Sequence, residues 1–591
     1  MYGRAYNRRQ VLATMLTRYR PELLLALGVF VFNLLFLGHV GVFDVDEAIY
    51  TEATREMIES GDLVTPYYNY EYRWKKPPLT YWAMYLPERV FGPAAGPARL
   101  ASAAQGALCA LLLALFGRAM FGGAAGMWAG AVFGTCFHGY IMGRGAVTDM
   151  TLVFWLTGGW LGLILAEVRK SPRWSALAGA CIGMAVLTKG PLAIVLTGGT
   201  WLVYLLWQRR LLAHIVETQF WWCLLALVAV AAPWYVQIYR LHGMAFYNEF
   251  IGLHNIKRMT TALEGHGGPI VYYLPIVFGG LAPWTGFALA GMREAWRGRR
   301  AEGSSGPVGL WLLVWFFLTL ALFSVAKTKL LNYIAPLYPA AALLAGYYLD
   351  GLLSQRIQVS RRGWAALLVA NVGTMAVLGV GLLTAPIWTA TMPVLQRELG
   401  IDKLVMGPGP LIAGALLLAG AVLMGVWWRQ GPSRTLFCRL GAFGAVSCLC
   451  MWLGFMPVLY HYEEGTLRVM ALEANRIAGP DGELAALNLH WPSLTLTSRR
   501  RVTYFPGTQD TEQEVARLHE RLIERFAQPK PIVMMVRKIR EKDLLQDVPH
   551  HVWADRLGFK MVSNLAPPAG YELPPSPWTE RQFYRLQAAV R

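Results

Sequence analysis

Runs of about twenty apolar residues, the length that crosses roughly 30 Å of hydrocarbon, recur along this chain between short polar stretches. They fall near 23–40, 97–117, 124–141, 149–167, 174–188, 191–207, 218–238, 270–290, 308–326, 332–350, 363–384, 409–428 and 436–457. The pattern predicts about thirteen transmembrane helices within residues 1–458. The apolar rhythm then stops, and residues 459–591 form a polar tail. In the tail, 484–489, 494–496, 502–505 and 531–536 read as strands and 511–526 has helical spacing, which together predict a small α/β domain. Two polar loops, 41–95 and 241–268, interrupt the membrane body. In the first, Thr51 to Ser60 reads as an amphipathic helix ended by Gly61, followed by a Pro- and Tyr-rich stretch suited to the membrane interface. The chain shows no pair of similar halves of the kind many transporters carry.

Composition agrees with a chain that mostly faces lipid: of 591 residues, 55% are hydrophobic and 15% charged. A soluble protein of this length carries far more charge. If the N-terminus is cytoplasmic, Arg169-Lys170, Arg209-Arg210, Arg293 to Arg300, Arg361-Arg362 and Arg429 also fall inside, as the positive-inside rule requires. That orientation places both polar loops and the tail outside the cytoplasm. The net charge of +18 is therefore largely a topology signal, with some attraction to anionic lipid, and not a nucleic-acid footprint. All seven cysteines lie in or beside predicted helices, which excludes a disulfide framework and a cysteine-type zinc site. Residues 23–40 read as a retained signal anchor.

The first exported loop concentrates the chemistry. It contains Asp46, Glu47 and Tyr50, then Lys75 and Lys76 before Pro77-Pro78. Asp149 stands at the exported mouth of the fourth span. Carboxylates at a membrane boundary are costly unless solvated or paired, so their convergence on one face suggests function, with capping of the following helices as the alternative. Lys75, Lys76, Lys189, Lys327 and Lys329 all fall on the side where cations are disfavoured. A lipid-linked phosphate would explain them as a set, with Arg258 and Tyr333 as helpers, whereas snorkelling would explain each singly. His254 and His266, with Glu264 nearby, match no strong metal-ligand spacing and read more readily as interfacial hydrogen-bonding residues. The chain holds no GxSxG elbow, P-loop or HExxH motif.

Read in order, Asp46-Glu47-Ala48-Ile49-Tyr50, Arg55-Glu56-Met57, Lys76-Pro77-Pro78-Leu79, Thr148-Asp149-Met150, Thr188-Lys189-Gly190-Pro191 and Lys327 to Lys329 with Tyr333 and Pro336 resemble the GT-C membrane glycosyltransferases that use polyprenyl-phosphate sugars. The aminoarabinose transferases that modify lipid A, and the related protein O-mannosyltransferases, are similar in these motifs. The resemblance implies a GT-C type, all-α polytopic domain with an extracytoplasmic α/β domain. It implies an inverting transfer from a polyprenyl (undecaprenyl-type) phosphate carrier to a glycolipid, glycan or protein acceptor in the envelope, on the periplasmic face of a bacterial inner membrane. Asp46 would be the general base, or the carboxylate that positions the acceptor hydroxyl, with Asp149 a second acid supporting the site, and Lys76, with Lys189 and Lys327 or Lys329, would hold the donor phosphate. The chain departs from the family pattern at Lys75, where an acid usually stands, at Asn255, where a histidine ligand is expected, and at Ile49, where Arg is common. These departures predict a site without bound zinc and no other cofactor. The rival from another class is a transporter or flippase for a lipid-linked sugar.

Overall fold

The computed structural model describes residues 17–122, 124–250, 268–300, 305–390, 406–505, 512–537 and 544–590. Among them, seven helices are long and apolar enough to cross a bilayer, or eight if Ile270–Gly280 and Thr285–Arg300, bent by 111°, are counted as one broken span. This is fewer than the thirteen the apolar runs predict. The differences lie where a run is interrupted. The stretch 124–141 divides into Ala125–Thr135 and Phe137–Met142 because Cys136 adopts an extended conformation. The stretch 23–40 yields the 15-residue helix α1 (Arg20–Leu34), after which Leu35 leaves helical geometry. Arg144 takes the carbonyls of Asn33 and Leu35 at 2.7 and 2.8 Å, satisfying acceptors that the end of α1 leaves open.

The first polar loop is built around α2 (Asp46–Ser60), closed by Gly61 in the left-handed region at φ 72°. A side chain there would be strained, which is why the helix ends on glycine. The two-residue strands β1 (Tyr67–Tyr68) and β2 (Glu71–Tyr72) pair antiparallel. They deliver the chain to α3 (Leu79–Phe91) through the buried Pro77 and Pro78. The spanning helix α4 (Ala95–Phe121) follows. Further along, α5 (Thr148–Arg169), α6 (Pro172–Lys189) and α7 (Ser305–Val325) carry or border the remaining candidate residues.

The tail forms a five-stranded mixed sheet in the order β4-β3-β5-β7-β6. The strands are β3 (Glu483–Leu487), β4 (Val502–Phe505), β5 (Ile532–Arg537), β6 (His551–Arg556) and β7 (Phe559–Ser563). β3 runs parallel to β4 and β5, whereas β7 is antiparallel to both β5 and β6. Alternation along the buried strands supplies two cores: Leu484, Ala486, Val533 and Met535 pack with α8 (Thr466–Ala478), while Ala485, Leu487, Met534 and Val536 face the opposite side. The strand expected at 494–496 is instead part of the short helix α9 (Ser493–Ser498). Its first turn is fixed from a distance: the Asp44 carboxylate accepts from the Ser493 backbone N–H at 2.9 Å and from its hydroxyl. The β6–β7 hairpin was not predicted from the apolar pattern, because the β6 positions are largely exposed.

The tail domain grips the first loop at two places. Asp44 holds α9 and donates its backbone N–H to Glu464 at 2.7 Å. On the other flank, Asn69 exchanges two hydrogen bonds with the backbone of Val502, at 2.8 and 2.9 Å, and Tyr68 meets Tyr504 hydroxyl to hydroxyl at 3.0 Å. Burial pushes the Asp44 carboxyl up to about 7, against the opposing effect of the Ser493 hydrogen bonds and Arg468. In an unfolded chain the same group titrates near ~3.9. The folded protein therefore binds this proton more tightly, and the stabilisation is complete below about pH 4 and is lost as pH rises through about 7. The thermal midpoint of detergent-solubilised protein is expected to fall between pH 5.5 and 8. Asp44→Asn should flatten that fall, and an unchanged slope in the variant would remove Asp44 as its source.

Candidate functional site

The N-terminal turn of α2 separates two adjacent carboxylates. Glu47 points inward. One oxygen accepts from Arg99 Nε at 2.8 Å and from the Ala146 backbone N–H at 2.7 Å; the other accepts from Arg99 Nη2 at 2.6 Å and the Phe43 backbone N–H at 3.0 Å. Arg99, on α4, is fully buried and completes its donor set on the carbonyls of Leu37, Val40 and Gly41. This clasp fixes the end of the first membrane segment, the start of α2 and the approach to α5 around one ion pair. Asp46, one residue earlier, is exposed, and its side chain makes no capping hydrogen bond.

Asp149 opens α5 and is buried, yet it does not cap that helix. Its oxygens accept instead from Lys189 Nζ at 2.8 Å and Asn332 Nδ2 at 2.6 Å. The Lys189 ammonium also lies 4.6 Å from the centre of the Tyr333 ring and within electrostatic reach of Asp46. Tyr50, one turn along α2 from Asp46, packs on Tyr81 with ring centres 5.5 Å apart. Burial, followed by the neighbouring Asp46 charge, holds the Tyr50 phenol well above its ordinary range, so it stays protonated. Asp46, Tyr50, Asp149, Lys189 and Tyr333 thus form one constellation at one end of the helices.

The remaining sequence candidates divide. Lys75 is exposed and Lys76 half-buried at the exit from β2. Lys327 is exposed just beyond α7. Lys329 is buried and donates to the carbonyl of Ser324 at 2.8 Å and to that of Ala326, so it serves the C-terminal carbonyls of α7. Arg258, His254 and His266, with Asn255 and Glu264, lie outside the described residues. Among the described residues, no group of three or more His, Cys, Asp or Glu converges as a metal site. Lys75, which stands where the family pattern has an acid, is a cation and a poor metal ligand, so no step is derived through a metal. Sequence reasoning missed Asn332 and Arg99. A charged residue inside the apolar run 97–117 was the available signal for Arg99.

A polytopic helical body that brings carboxylates, a phenol and a cation together at one end of its helices has the layout of an integral membrane enzyme. Comparisons with known proteins narrow the class. The profile of the dolichyl-phosphate-mannose-protein mannosyltransferase family matches residues 23–247. The undecaprenyl phosphate-alpha-4-amino-4-deoxy-L-arabinose arabinosyl transferase of Edwardsiella ictaluri is 31% identical over 407 residues, covering 67% of this chain and 70% of that protein. The enzyme of the same name from Erwinia tasmaniensis is 30% identical over 437 residues, covering 72% and 75%. In structure, ArnT from Cupriavidus metallidurans, solved bound to undecaprenyl phosphate, superposes with a TM-score of 0.73 at 23% identity over 94% of this chain and 99% of that one. The chain belongs to the GT-C family of polyprenyl-phosphate-sugar-dependent membrane glycosyltransferases that includes these aminoarabinose transferases. It is a multi-pass membrane glycosyltransferase with a mixed-sheet C-terminal domain.

Proposed function

We propose that this protein transfers a pentose of the 4-amino-4-deoxyarabinose type from undecaprenyl phosphate to a lipid A-like glycolipid, at the periplasmic face of a bacterial inner membrane. The observation that carries this reading is the exposed Asp46 carboxylate beside Tyr50, Asp149 and Lys189, in a chain about 30% identical to arabinosyl transferases over most of its membrane body. In the proposed step, the acceptor hydroxyl oxygen attacks the anomeric carbon and its proton passes to Asp46. The anomeric carbon–oxygen bond breaks, its electron pair leaves with undecaprenyl phosphate, and the configuration inverts. Asp149 orients Lys189 at the site. Glu47, engaged by Arg99, positions Asp46 and does not itself take the proton. Lys75, Lys76 and Lys327 contribute positive potential around the leaving phosphate. The helices shorter than a full span are read as crossing too, which restores the topology that places this face outside the cytoplasm. Residues 1–458 are then the transferase domain and 459–591 an exported domain that holds the catalytic loop in place.

The reading is tested by reconstituting purified protein with a panel of polyprenyl-phosphate sugars and envelope glycolipids, read by mass spectrometry. A pentose-sized mass gain on a glycolipid is expected. A gain only on protein acceptors would favour the protein O-glycosyltransferase reading to which the mannosyltransferase profile points. Intact carrier moving across vesicles, with no bond broken in any arm, would make the protein a transporter. Transfer is also expected to survive exhaustive chelation, because Lys75 supplies fixed charge where relatives in the family pattern have an acid. Loss restored specifically by zinc would overturn that expectation.

A further inference from the structure

We infer that Arg73, through its unengaged guanidinium fork, forms the principal anion subsite for the leaving carrier phosphate; the inference rests on the polyprenyl-phosphate donor proposed above. Arg73 and Arg99 are both buried in this part of the molecule, and they are satisfied very differently. Arg99 places all five of its N–H groups on acceptors, two on Glu47 and three on backbone carbonyls. Arg73 is 7% exposed, and among the described residues its sole side-chain hydrogen bond runs from Nε to the Tyr81 hydroxyl at 3.1 Å, while its backbone N–H donates to the Pro66 carbonyl. Its guanidinium carbon lies 5.8 Å from the centre of the Tyr50 ring, within electrostatic reach of Asp46. Among the described residues, the terminal nitrogens are not sealed, unpartnered polar atoms, so they keep some exposed surface.

Removing a guanidinium from water is costly unless its donors are engaged. Here the neutral Tyr81 hydroxyl engages one donor, the Tyr50 ring lies beside the guanidinium, and the four terminal N–H groups are left for a ligand. A planar fork of this kind matches two phosphate oxygens side by side. The other buried cations nearby are already committed. Lys189 is paired with Asp149, and Lys329 is spent on the end of α7. Arg73 also stands three residues before Lys76, so β2 leads the fork and the lysine pair into the same site. As the anomeric bond breaks and charge grows on the phosphate, the fork gains strength and favours departure.

The test measures binding of undecaprenyl phosphate, with undecaprenol as the phosphate-free control, to detergent-solubilised full-length protein. Arg73→Gln is expected to weaken undecaprenyl phosphate about tenfold or more and leave undecaprenol unchanged. Arg73→Lys should recover part of the loss, since it keeps the charge and not the fork. Wild-type affinity for undecaprenyl phosphate in Arg73→Gln overturns the inference, and a raised KM for a phosphorylated acceptor in the same variant would reassign the fork to the acceptor. If wild-type protein does not distinguish undecaprenyl phosphate from undecaprenol, the donor class itself fails. A second measurement needs no variant: modification of Arg73 by phenylglyoxal, followed by peptide mass spectrometry, should be slowed by undecaprenyl phosphate and not by undecaprenol. Equal modification under both conditions also overturns the subsite.

Discussion

Asp46→Asn is expected to lower the rate of sugar transfer by about three orders of magnitude while undecaprenyl phosphate still binds. The substitution changes one oxygen to an amide nitrogen, so it removes basicity with almost no change in shape. Asp46 is exposed and its side chain caps nothing, so the variant should keep its thermal midpoint within the range of ordinary surface changes, about 0.5 kcal/mol. The Tyr50, Tyr81 and Arg73 packing beneath it has no hydrogen bond to the lost oxygen and should persist. Single-turnover transfer, with donor binding measured in parallel, separates the chemical step from recognition. A rate within tenfold of wild type would move the proton to another acceptor, and Asp149 would be next in line despite its pairing with Lys189. A loss of donor affinity equal to the loss of rate would instead make Asp46 a binding group.

How far the site was legible depended on what kind of feature marked each residue. Asp46, Tyr50 and Asp149 carry short, ordered motifs and sit at span boundaries where any carboxylate is conspicuous, and the structure brings them together with Lys189. Sequence position could not distinguish Asp46 from Glu47, because adjacent residues on a helix differ by about 100° in direction and the direction was set by Arg99, some fifty residues away. Lys329 and Lys327 read alike in sequence; only the end of α7 decides that one ammonium is consumed by backbone carbonyls. Arg73 gave no signal of its own, since its importance lies in which of its donors have no acceptor. The fold shows the same division. Parallel strands with clear apolar alternation were foreseen, whereas α9 is a helix because Asp44, far away in sequence, engages its first turn. The apolar runs marked a mostly helical, multi-span domain but not the breaks inside it, such as the one at Cys136, where tertiary packing interrupts a run without leaving a polar mark.

The largest expected loss of stability follows from that same buried pair. Arg99→Met should destabilise the protein by about 3–5 kcal/mol, because it strands the Glu47 carboxylate in the interior and removes the donors from three carbonyls at the end of the first membrane segment. The pair is nearly inaccessible, with Arg99 fully buried, so solvent does not replace what is lost. Adding Glu47→Gln to Arg99→Met should recover part of the stability, since a neutral amide is far cheaper to bury than an unpaired carboxylate and can still accept from Ala146. Thermal denaturation of both single variants and the double variant beside wild type measures the coupling directly. A single variant as stable as wild type would mean that Glu47 is protonated or hydrated and that the clasp does not hold the loop. Activity adds a second readout. Glu47 directs the first turn of α2, so the double variant, even where its fold is recovered, should stay below wild-type transfer because Asp46 is no longer held at a fixed angle to Tyr50 and Lys189. Full activity in that variant would show that the start of α2 is positioned by the tail domain through Asp44 and Ser493, with the ion pair serving stability alone.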